Sequence, residues 1–154
     1  MKRLLLIPFL FLASCYNVGY RVETERFESL TGDFQSEKVK IYSNNRYDIS
    51  ISKVTSGLSY YSIDIDYRGS NWLFIDGLVM IKADDLLMKK IDENPSRVVV
   101  YKGVHESISV IVEKEELATM ANAKDLRIQF FADPITISEE GRNNISRFIL
   151  DMIR

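Results

Sequence analysis

Apolar and polar residues alternate in several segments of the chain, a pattern typical of β-strands with one buried face and one polar face. The alternation is clear in residues 47–52, 60–67 and 126–131, and residues 38–42, 86–91, 97–101 and 105–112 are further candidate strands. Turn-rich clusters such as Ser43-Asn44-Asn45 and Glu93-Asn94-Pro95-Ser96 separate them. The pattern therefore predicts a set of antiparallel strands with one wet face.

One segment departs from this alternation. Residues 72–82 are apolar on both faces and contain Asp76-Gly77 near the middle. We expect a central, bulged strand here, entered by a hairpin loop at Arg68-Gly69-Ser70-Asn71. The alternative is a type I′ hairpin at Asp76-Gly77, which would give two short strands.

Two segments have helical periodicity instead. Residues 115–123 place Leu117, Met120 and Ala121 on one side, which predicts a short helix. A second helix is predicted after Ser138, its N-cap, with an apolar stripe formed by Ile145, Phe148, Ile149 and Met152. The predicted fold class is α+β: an antiparallel sheet, curled or doubled into a sandwich, closed by a short helix and a C-terminal helix. The pattern does not determine the strand order.

The start of the chain is not part of this domain. Lys2 and Arg3 precede an apolar run over residues 4–12, which ends in Leu12-Ala13-Ser14-Cys15. The run is shorter than the roughly 20 residues that a membrane-spanning helix needs, so it predicts a cleaved signal peptide. Cleavage as an ordinary secreted protein is disfavoured, because it would place a bulky residue three positions before the cut.

On these residues the chain resembles a bacterial lipoprotein precursor, because Leu12-Ala13-Ser14-Cys15 fits the lipobox of that class. The resemblance covers the first fifteen residues. It implies a diacylglyceryl group on the Cys15 thiol, cleavage just before Cys15 and acylation of the new amino terminus. It also implies a bacterial cell-envelope location, with the membrane as a partner through the lipid. Tyr16 favours the outer membrane or cell surface over the inner membrane, since some enteric bacteria use Asp at this position for inner-membrane retention.

These features divide the chain into three parts. Residues 1–14 are the predicted signal peptide, 15–36 the lipidated cysteine and a tether, and 37–154 a single globular domain. Phe27, Leu30 and Phe34 are spaced so that a short amphipathic turn could dock on the domain, and a mobile spacer is the alternative. Fully extended, such a tether would reach on the order of 70 Å.

Composition and charge narrow the possible functions. Cys15 is the only cysteine, so no disulfide or cysteine metal site is expected. The processed chain keeps 18 basic and 22 acidic residues, a net charge of −4 that gives no reason to bind nucleic acid. No cofactor is predicted.

Candidate catalytic groups are sparse. His105 is the only histidine, and its neighbour Glu106 must point to the opposite face of the strand, so we interpret His105 as a surface residue. Asp64 and Asp66 share a strand face, and Asp76, Asp84 and Asp85 could converge on them to bind a divalent cation. The competing interpretation is a solvated polar face, with Asp84-Asp85 forming a turn.

Aromatic residues offer another possible site. Tyr60, Tyr61, Tyr67 and Trp72 lie around the predicted hairpin and could form a stacking platform for a ligand, although cross-strand aromatic pairs are equally good hairpin stabilisers.

The leading hypothesis is a lipid-anchored envelope lipoprotein with a non-catalytic binding or scaffolding domain, whose surface carries an apolar patch that another molecule covers. A carboxylate-dependent hydrolase using Asp64, Asp66, Asp76 or Asp84 is the first alternative. A small-ligand carrier with an apolar cavity is the second. An envelope protein or a small ligand is therefore the expected partner besides the membrane.

Overall fold

The computed structural model describes residues 18–29 and 32–151. The leader, Cys15, Tyr16, Leu30 and Met152 lie outside the described residues. The elements, in chain order, are β1 (Val22–Ser29), β2 (Gly32–Ser43), β3 (Tyr47–Ser56), β4 (Leu58–Gly69), β5 (Leu78–Ala83), β6 (Leu86–Ile91), β7 (Ser96–Val100), β8 (Gly103–Val112), α1 (Lys114–Asn122), β9 (Leu126–Gln129), β10 (Ile135–Ile137) and α2 (Glu139–Asp151).

Within the described residues the strands form two antiparallel sheets. The larger sheet has the order β1-β2-β3-β4-β8-β7 and is curled into a half-barrel, and the smaller sheet has the order β10-β9-β5-β6. Strands make up 55% of the structure. The predicted α+β class is confirmed in this broad form, with more sheet and less helix than the prediction implied.

Alternating isoleucines build the buried face of the larger sheet. Ile51 lies opposite Ile63 and Ile49 lies opposite Ile65 in the β3–β4 register, and all four are fully buried. Burial of each such side chain stabilises the fold by roughly 1.5–3 kcal/mol. The buried faces of the smaller sheet and of both helices complete one continuous core.

Both helices form where the sequence predicted them. In α1, Leu117 and Met120 are fully buried, and the Glu116 side chain closes a capping box by accepting the Glu113 backbone N–H at 2.8 Å. In α2, the Ser138 hydroxyl accepts the Gly141 N–H at 3.2 Å, as expected of an N-cap.

The segment predicted as a tether is largely strand. Residues 22–29 and 32–43 form the β1–β2 hairpin, so the predicted boundary at residue 36 falls inside β2. The amphipathic turn is wrong, because Phe27 and Phe34 lie directly opposite each other in the hairpin. β1 pairs with β2, and β2 pairs with β3, so cross-strand contacts order this segment. Such pairing leaves no periodic pattern in the residues of β1, and the sequence therefore did not predict this strand.

The predicted strand over residues 72–82 is wrong in its first half, because β5 begins only at Leu78. The predicted hairpin at residues 68–71 is also wrong, since β4 pairs with β8 on that side. Residues 70–77 form an irregular loop in which Phe74 and Gly77 have positive φ angles of 55° and 86°.

A buried carboxylate holds this loop. Glu106 is 1% exposed and accepts the backbone N–H groups of Leu73 at 2.5 Å, Phe74 at 3.2 Å and Ile75 at 3.0 Å. Arg97 donates to Glu106 at 3.3 Å through Nε and to the Ile75 carbonyl through Nη2. Burial raises the pKa of Glu106, but these donors outweigh it and hold the pKa below its ordinary value of 4.5. The ionised carboxylate therefore replaces the strand hydrogen bonds that the sequence pattern predicted.

Candidate functional site

The polar face of the larger sheet carries a dense set of charged side chains, which we call the charged trough. Its residues line up across neighbouring strands: Lys40 faces Ser50, Ser50 faces Asp64, and Asp64 faces Ser109. The charged members of the trough are Lys38, Lys40, Asp48, Asp64, Asp66, Arg68 and His105.

Buried serines line the floor of the trough. Ser50, Ser52 and Ser62 are only 1–3% exposed although they lie on the polar face. Ser52 and Ser62 donate to Asp64, the second at 3.1 Å, and Ser109 donates to its Oδ1 at 2.7 Å. These hydroxyls satisfy the Asp64 carboxylate, which is what a buried or half-buried charge requires.

Asp66 connects the two sides of the trough. Its Oδ1 lies 2.9 Å from His105 Nε2 on β8, and its Oδ2 lies 3.6 Å from Lys38 Nζ on β2. Lys38 Nζ is also 3.8 Å from Asp64 Oδ2. The expectation that His105 and Glu106 do not pair is confirmed, because Glu106 points into the core. The partner of His105 is instead the carboxylate of Asp66, 39 residues away in the chain.

The third carboxylate of the trough is Asp48, on β3. Asp48 accepts the Ser43 hydroxyl at 2.5 Å, Lys40 Nζ lies 3.1 Å from it, and Arg68 Nη1 lies 3.9 Å from it. Burial raises the pKa of Asp48, but the hydrogen bonds from Ser43 and Lys40 and the two nearby cations outweigh it and leave the pKa lowered. Asp48 is therefore held ionised.

A β-bulge in β2 brings Ser43 onto this face. The β2–β3 register shifts between Lys40 and Tyr42, so that Ser43 pairs with Asp48. Without the extra residue, Ser43 would point to the core side of the sheet. No pattern in the sequence marks this bulge.

Two clefts open from the trough. One, the N-terminal cleft, has a volume of about 360 Å³ and is lined by Val18, Gly19, Arg21, Glu23, Lys38, Lys40, Ser43, Asp48, Ser50, Asp66 and Arg68. The other, the β7 cleft, is also about 360 Å³ and is lined by Lys38, Asp64, Asp66, Asp92, Asn94, Ser96, Ser107, Ile108 and Ser109. Lys38 and Asp66 line both. The first cleft has four cations against three carboxylates, and the second has one cation against three carboxylates.

Side chains of α2 fix the segment that enters the trough. Asn144, 2% exposed, donates through Nδ2 to the Val18 carbonyl at 2.8 Å and to the Lys40 carbonyl at 3.1 Å. Tyr20 donates to Asp151 at 2.5 Å, and its burial and this hydrogen bond raise its pKa to about 12. The chain is therefore attached to the domain from Val18 onward, earlier than the predicted tether would end.

Replacing Asn144 should loosen this attachment. We expect Asn144→Ala to lower the free energy of unfolding by about 2 kcal/mol, because two carbonyls lose their donor. Limited proteolysis should then cut near residues 18–21 faster than in the wild type. An exposed neighbour, Asn143→Ala, is the matched control and should leave both readouts unchanged. Unchanged stability in Asn144→Ala would contradict the inferred role.

The alternative in which five carboxylates converge on a cation site does not occur. Asp64 and Asp66 share the trough, as predicted, but Asp84 lies in the β5–β6 turn and accepts the backbone N–H groups of Lys124 at 3.0 Å and Asp125 at 2.9 Å. Asp84-Asp85 therefore forms a turn, which was the competing interpretation. Asp76 accepts the Leu78 N–H at 3.0 Å on the loop before β5. Among the described residues no group of three or more potential ligands could hold a metal ion.

The stacking platform that Tyr67 and Trp72 could have formed is not present either. Tyr67 is buried, donates to the Asn71 carbonyl at 2.9 Å and packs against the Tyr47 ring, 5.4 Å away between centroids. Trp72 lies against Phe74 instead, at 6.4 Å. These rings serve the core and the loop, because the hairpin that would have brought them together does not exist.

An apolar surface is present elsewhere. Phe74 is 71% exposed and, with Leu78, Met80, Phe130 and Phe131, lines a shallow cavity of about 270 Å³ beside the smaller sheet. The edge strand β7 is exposed along its whole length, from Ser96 to Val100. Exposed apolar side chains thus lie beside the smaller sheet and along the edge strand β7.

Comparison with known proteins gives little beyond this geometry. No protein-family model and no curated protein matches the chain. A solved structure, the crystal structure of invasion associated protein B from Bartonella henselae, is similar with a TM-score of 0.41 and 14% sequence identity. The alignment covers 85% of this chain and 98% of that one.

Across residues 18–29 and 32–151, no helix has both the length and the apolar character needed to cross a bilayer. Cys15, the predicted lipidation site, lies outside these residues.

Proposed function

We propose that the protein is a lipid-anchored lipoprotein of the bacterial cell envelope whose folded domain binds a polar ligand in the charged trough and is not itself catalytic. The anchor rests on Leu12-Ala13-Ser14-Cys15. Lipoproteins of this class carry three acyl chains, and at roughly 0.8 kcal/mol per buried methylene two or more chains hold a protein firmly in a bilayer. The outer membrane or the cell surface is the proposed location.

One observation supports the trough as the binding site. Three carboxylates and three cations are held in fixed positions over buried serines, where two clefts meet at Lys38 and Asp66. Pre-positioned charges of both signs recognise a polar ligand without a large ordering cost.

The same arrangement favours binding over acid catalysis. A carboxyl that acts as a general acid near neutral pH needs a raised pKa. The pKa of Asp48 is lowered, and the Asp64 carboxylate is surrounded by three hydroxyl donors. Asp48 is therefore held as an anion, and both carboxylate oxygens of Asp64 are already engaged by hydroxyl donors.

The anchor is tested by replacing the cysteine. The wild-type protein extracted from envelopes should have the mass of residues 15–154 plus a diacylglyceryl group and an amide-linked acyl chain, and it should incorporate labelled palmitate. Cys15→Ala should remain at the mass of the uncleaved precursor without label. Ser14→Ala, which keeps a small residue before the cut, is the control and should be processed normally. A wild-type protein with a bare Cys15 thiol would refute the anchor.

Ligand binding is tested on the same material. Native mass spectrometry of the lipoprotein, extracted in mild detergent, should detect a non-covalent adduct in addition to the covalent acyl groups. The adduct should disappear in Lys38→Gln, which removes the cation shared by both clefts, and persist in Lys89→Gln, an exposed lysine of the smaller sheet. A wild-type spectrum without any adduct would contradict a binding function.

A further inference from the structure

We infer that the charged trough binds the headgroup of a zwitterionic phospholipid of the membrane that carries the protein, with the phosphate in the N-terminal cleft and a primary ammonium in the β7 cleft. This inference rests on the proposed function and names the ligand of the same site. It follows from the position of the trough relative to the anchor, from the order of charges along it, and from its hydrogen-bonding groups.

The position follows from chain length. Val18 and Gly19 line the N-terminal cleft, and Asn144 fixes the Val18 carbonyl to the domain. Two residues separate Val18 from Cys15, and an extended chain over these three residue steps spans at most about 11 Å. Lipidation at Cys15 would therefore hold the mouth of the N-terminal cleft at the height of the lipid headgroups.

The net charge of the lining changes sign from the N-terminal cleft to the β7 cleft. Arg21, Lys40 and Arg68 line only the N-terminal cleft, together with the carboxylates of Glu23 and Asp48, and with the shared Lys38 and Asp66 this cleft has one more cation than carboxylates. Asp64 and Asp92 line only the β7 cleft, on the far side of Lys38 and Asp66. In a zwitterionic phospholipid the phosphate lies next to the glycerol and the cation lies beyond it. The trough therefore has its net positive cleft where the phosphate would lie and its net negative cleft where the cation would lie.

The donors and acceptors specify the kind of cation. A primary ammonium has three N–H donors, whereas a quaternary ammonium has none. The β7 cleft offers carboxylates and the hydroxyls of Ser96, Ser107 and Ser109 and has no aromatic side chain in its lining. Quaternary ammonium groups are recognised by aromatic cages. The lining therefore fits phosphoethanolamine and not phosphocholine.

The test uses the intact, lipidated protein in detergent micelles and three water-soluble headgroups. Glycerophosphoethanolamine, glycerophosphocholine and glycerophosphoglycerol are titrated by isothermal calorimetry. We expect saturable binding of glycerophosphoethanolamine, at least tenfold tighter than binding of the other two, because a charged hydrogen-bond partner changes affinity by about a factor of ten or more. Equal binding of all three, or no binding of any, would overturn the inference.

Variants separate the two ends of the ligand. Asp92→Asn, which changes a carboxylate that lines only the β7 cleft, should weaken glycerophosphoethanolamine binding about tenfold and leave the weak glycerophosphoglycerol binding unchanged, while Arg68→Gln should weaken both. Lys89→Gln on the smaller sheet should change neither. Circular dichroism of each variant verifies folding, and since Arg68 is 67% exposed at its side chain, its replacement is safe for the fold. A loss that is equal for Asp92→Asn and Lys89→Gln would count against the site.

Different experimental outcomes would refute the headgroup inference and the proposed function. An unlipidated Cys15 would remove both. A lipidated protein that carries a non-covalent adduct of other chemistry, such as a free amino acid or a short peptide, would keep the binding function and refute the phospholipid headgroup.

Discussion

Glu106→Gln should lower the free energy of unfolding by about 3 kcal/mol at neutral pH, more than any exposed substitution in this protein. The glutamine keeps the volume of the side chain but has one acceptor oxygen and a new N–H donor. One oxygen cannot serve the backbone N–H groups of Leu73 and Ile75 together with Arg97, so a buried donor loses its acceptor. Urea denaturation followed by tryptophan fluorescence measures the change and reports on Trp72 in the same loop.

The pH dependence gives a second check on the same residue. Because the folded state lowers the pKa of Glu106, its contribution is fully present above the ordinary value of 4.5 and is lost as the pH falls through the lowered value. The stability difference between the wild type and Glu106→Gln should therefore shrink on acidification. Glu115→Gln, an exposed change on α1, should differ from the wild type by less than about 0.5 kcal/mol at every pH. A difference that stays constant below pH 4 would contradict the role of the ionised carboxylate.

Alternation predicted the strands whose two faces differ in polarity. Ile63 and Ile65 alternate with Ser62 and Asp64, and β4 formed with those isoleucines buried and with Asp64 on the polar face. Here the local pattern and the tertiary environment agree, so the sequence alone was sufficient. The sharing of one face by Asp64 and Asp66 was predictable for the same reason.

Pairings over long sequence distances could not be predicted in this way. The loop at residues 70–77 is apolar enough to suggest a strand, but Glu106, more than thirty residues later, captures its backbone N–H groups. Likewise Lys38 and His105 join Asp66 from β2 and β8. Periodicity describes the face on which a residue lies and contains no information about which strand will be its neighbour.

The β-bulge in β2 is a backbone feature that the sequence pattern also could not predict. It turns the carbonyls of Lys40 and Ile41 towards α2, where Asn144 donates to the first of them. Gly141 lies against the second, so closely that a Cβ atom built on it would be 2.3 Å from the Ile41 oxygen and 2.7 Å from Ile137 Cγ2. The glycine in the first turn of α2 is thus required by the close approach of helix and sheet.

Gly141→Val should consequently lower the free energy of unfolding by about 3 kcal/mol, with Gly141→Ala causing a smaller loss in the same direction. Helix propensity acts in the opposite direction, but its effect is small, because valine and alanine are better helix formers than glycine by less than about 1 kcal/mol. Steric overlap with a backbone oxygen cannot be relieved by a rotamer change, so α2 must move away from β2. Thermal and urea denaturation measure the loss, and amide hydrogen exchange at Lys40 and Ile41 should accelerate.

Asn143→Val is the matched control for that substitution. Residue 143 is exposed on the same helix, so the β-branched side chain meets only solvent there and should change stability by less than about 0.5 kcal/mol. If helix propensity governed the glycine position, Gly141→Ala would be stabilising. That outcome would contradict the close contact between α2 and the bulge and, with it, the fixed position of Asn144 and Val18 on which the proposed location of the trough at the membrane surface depends.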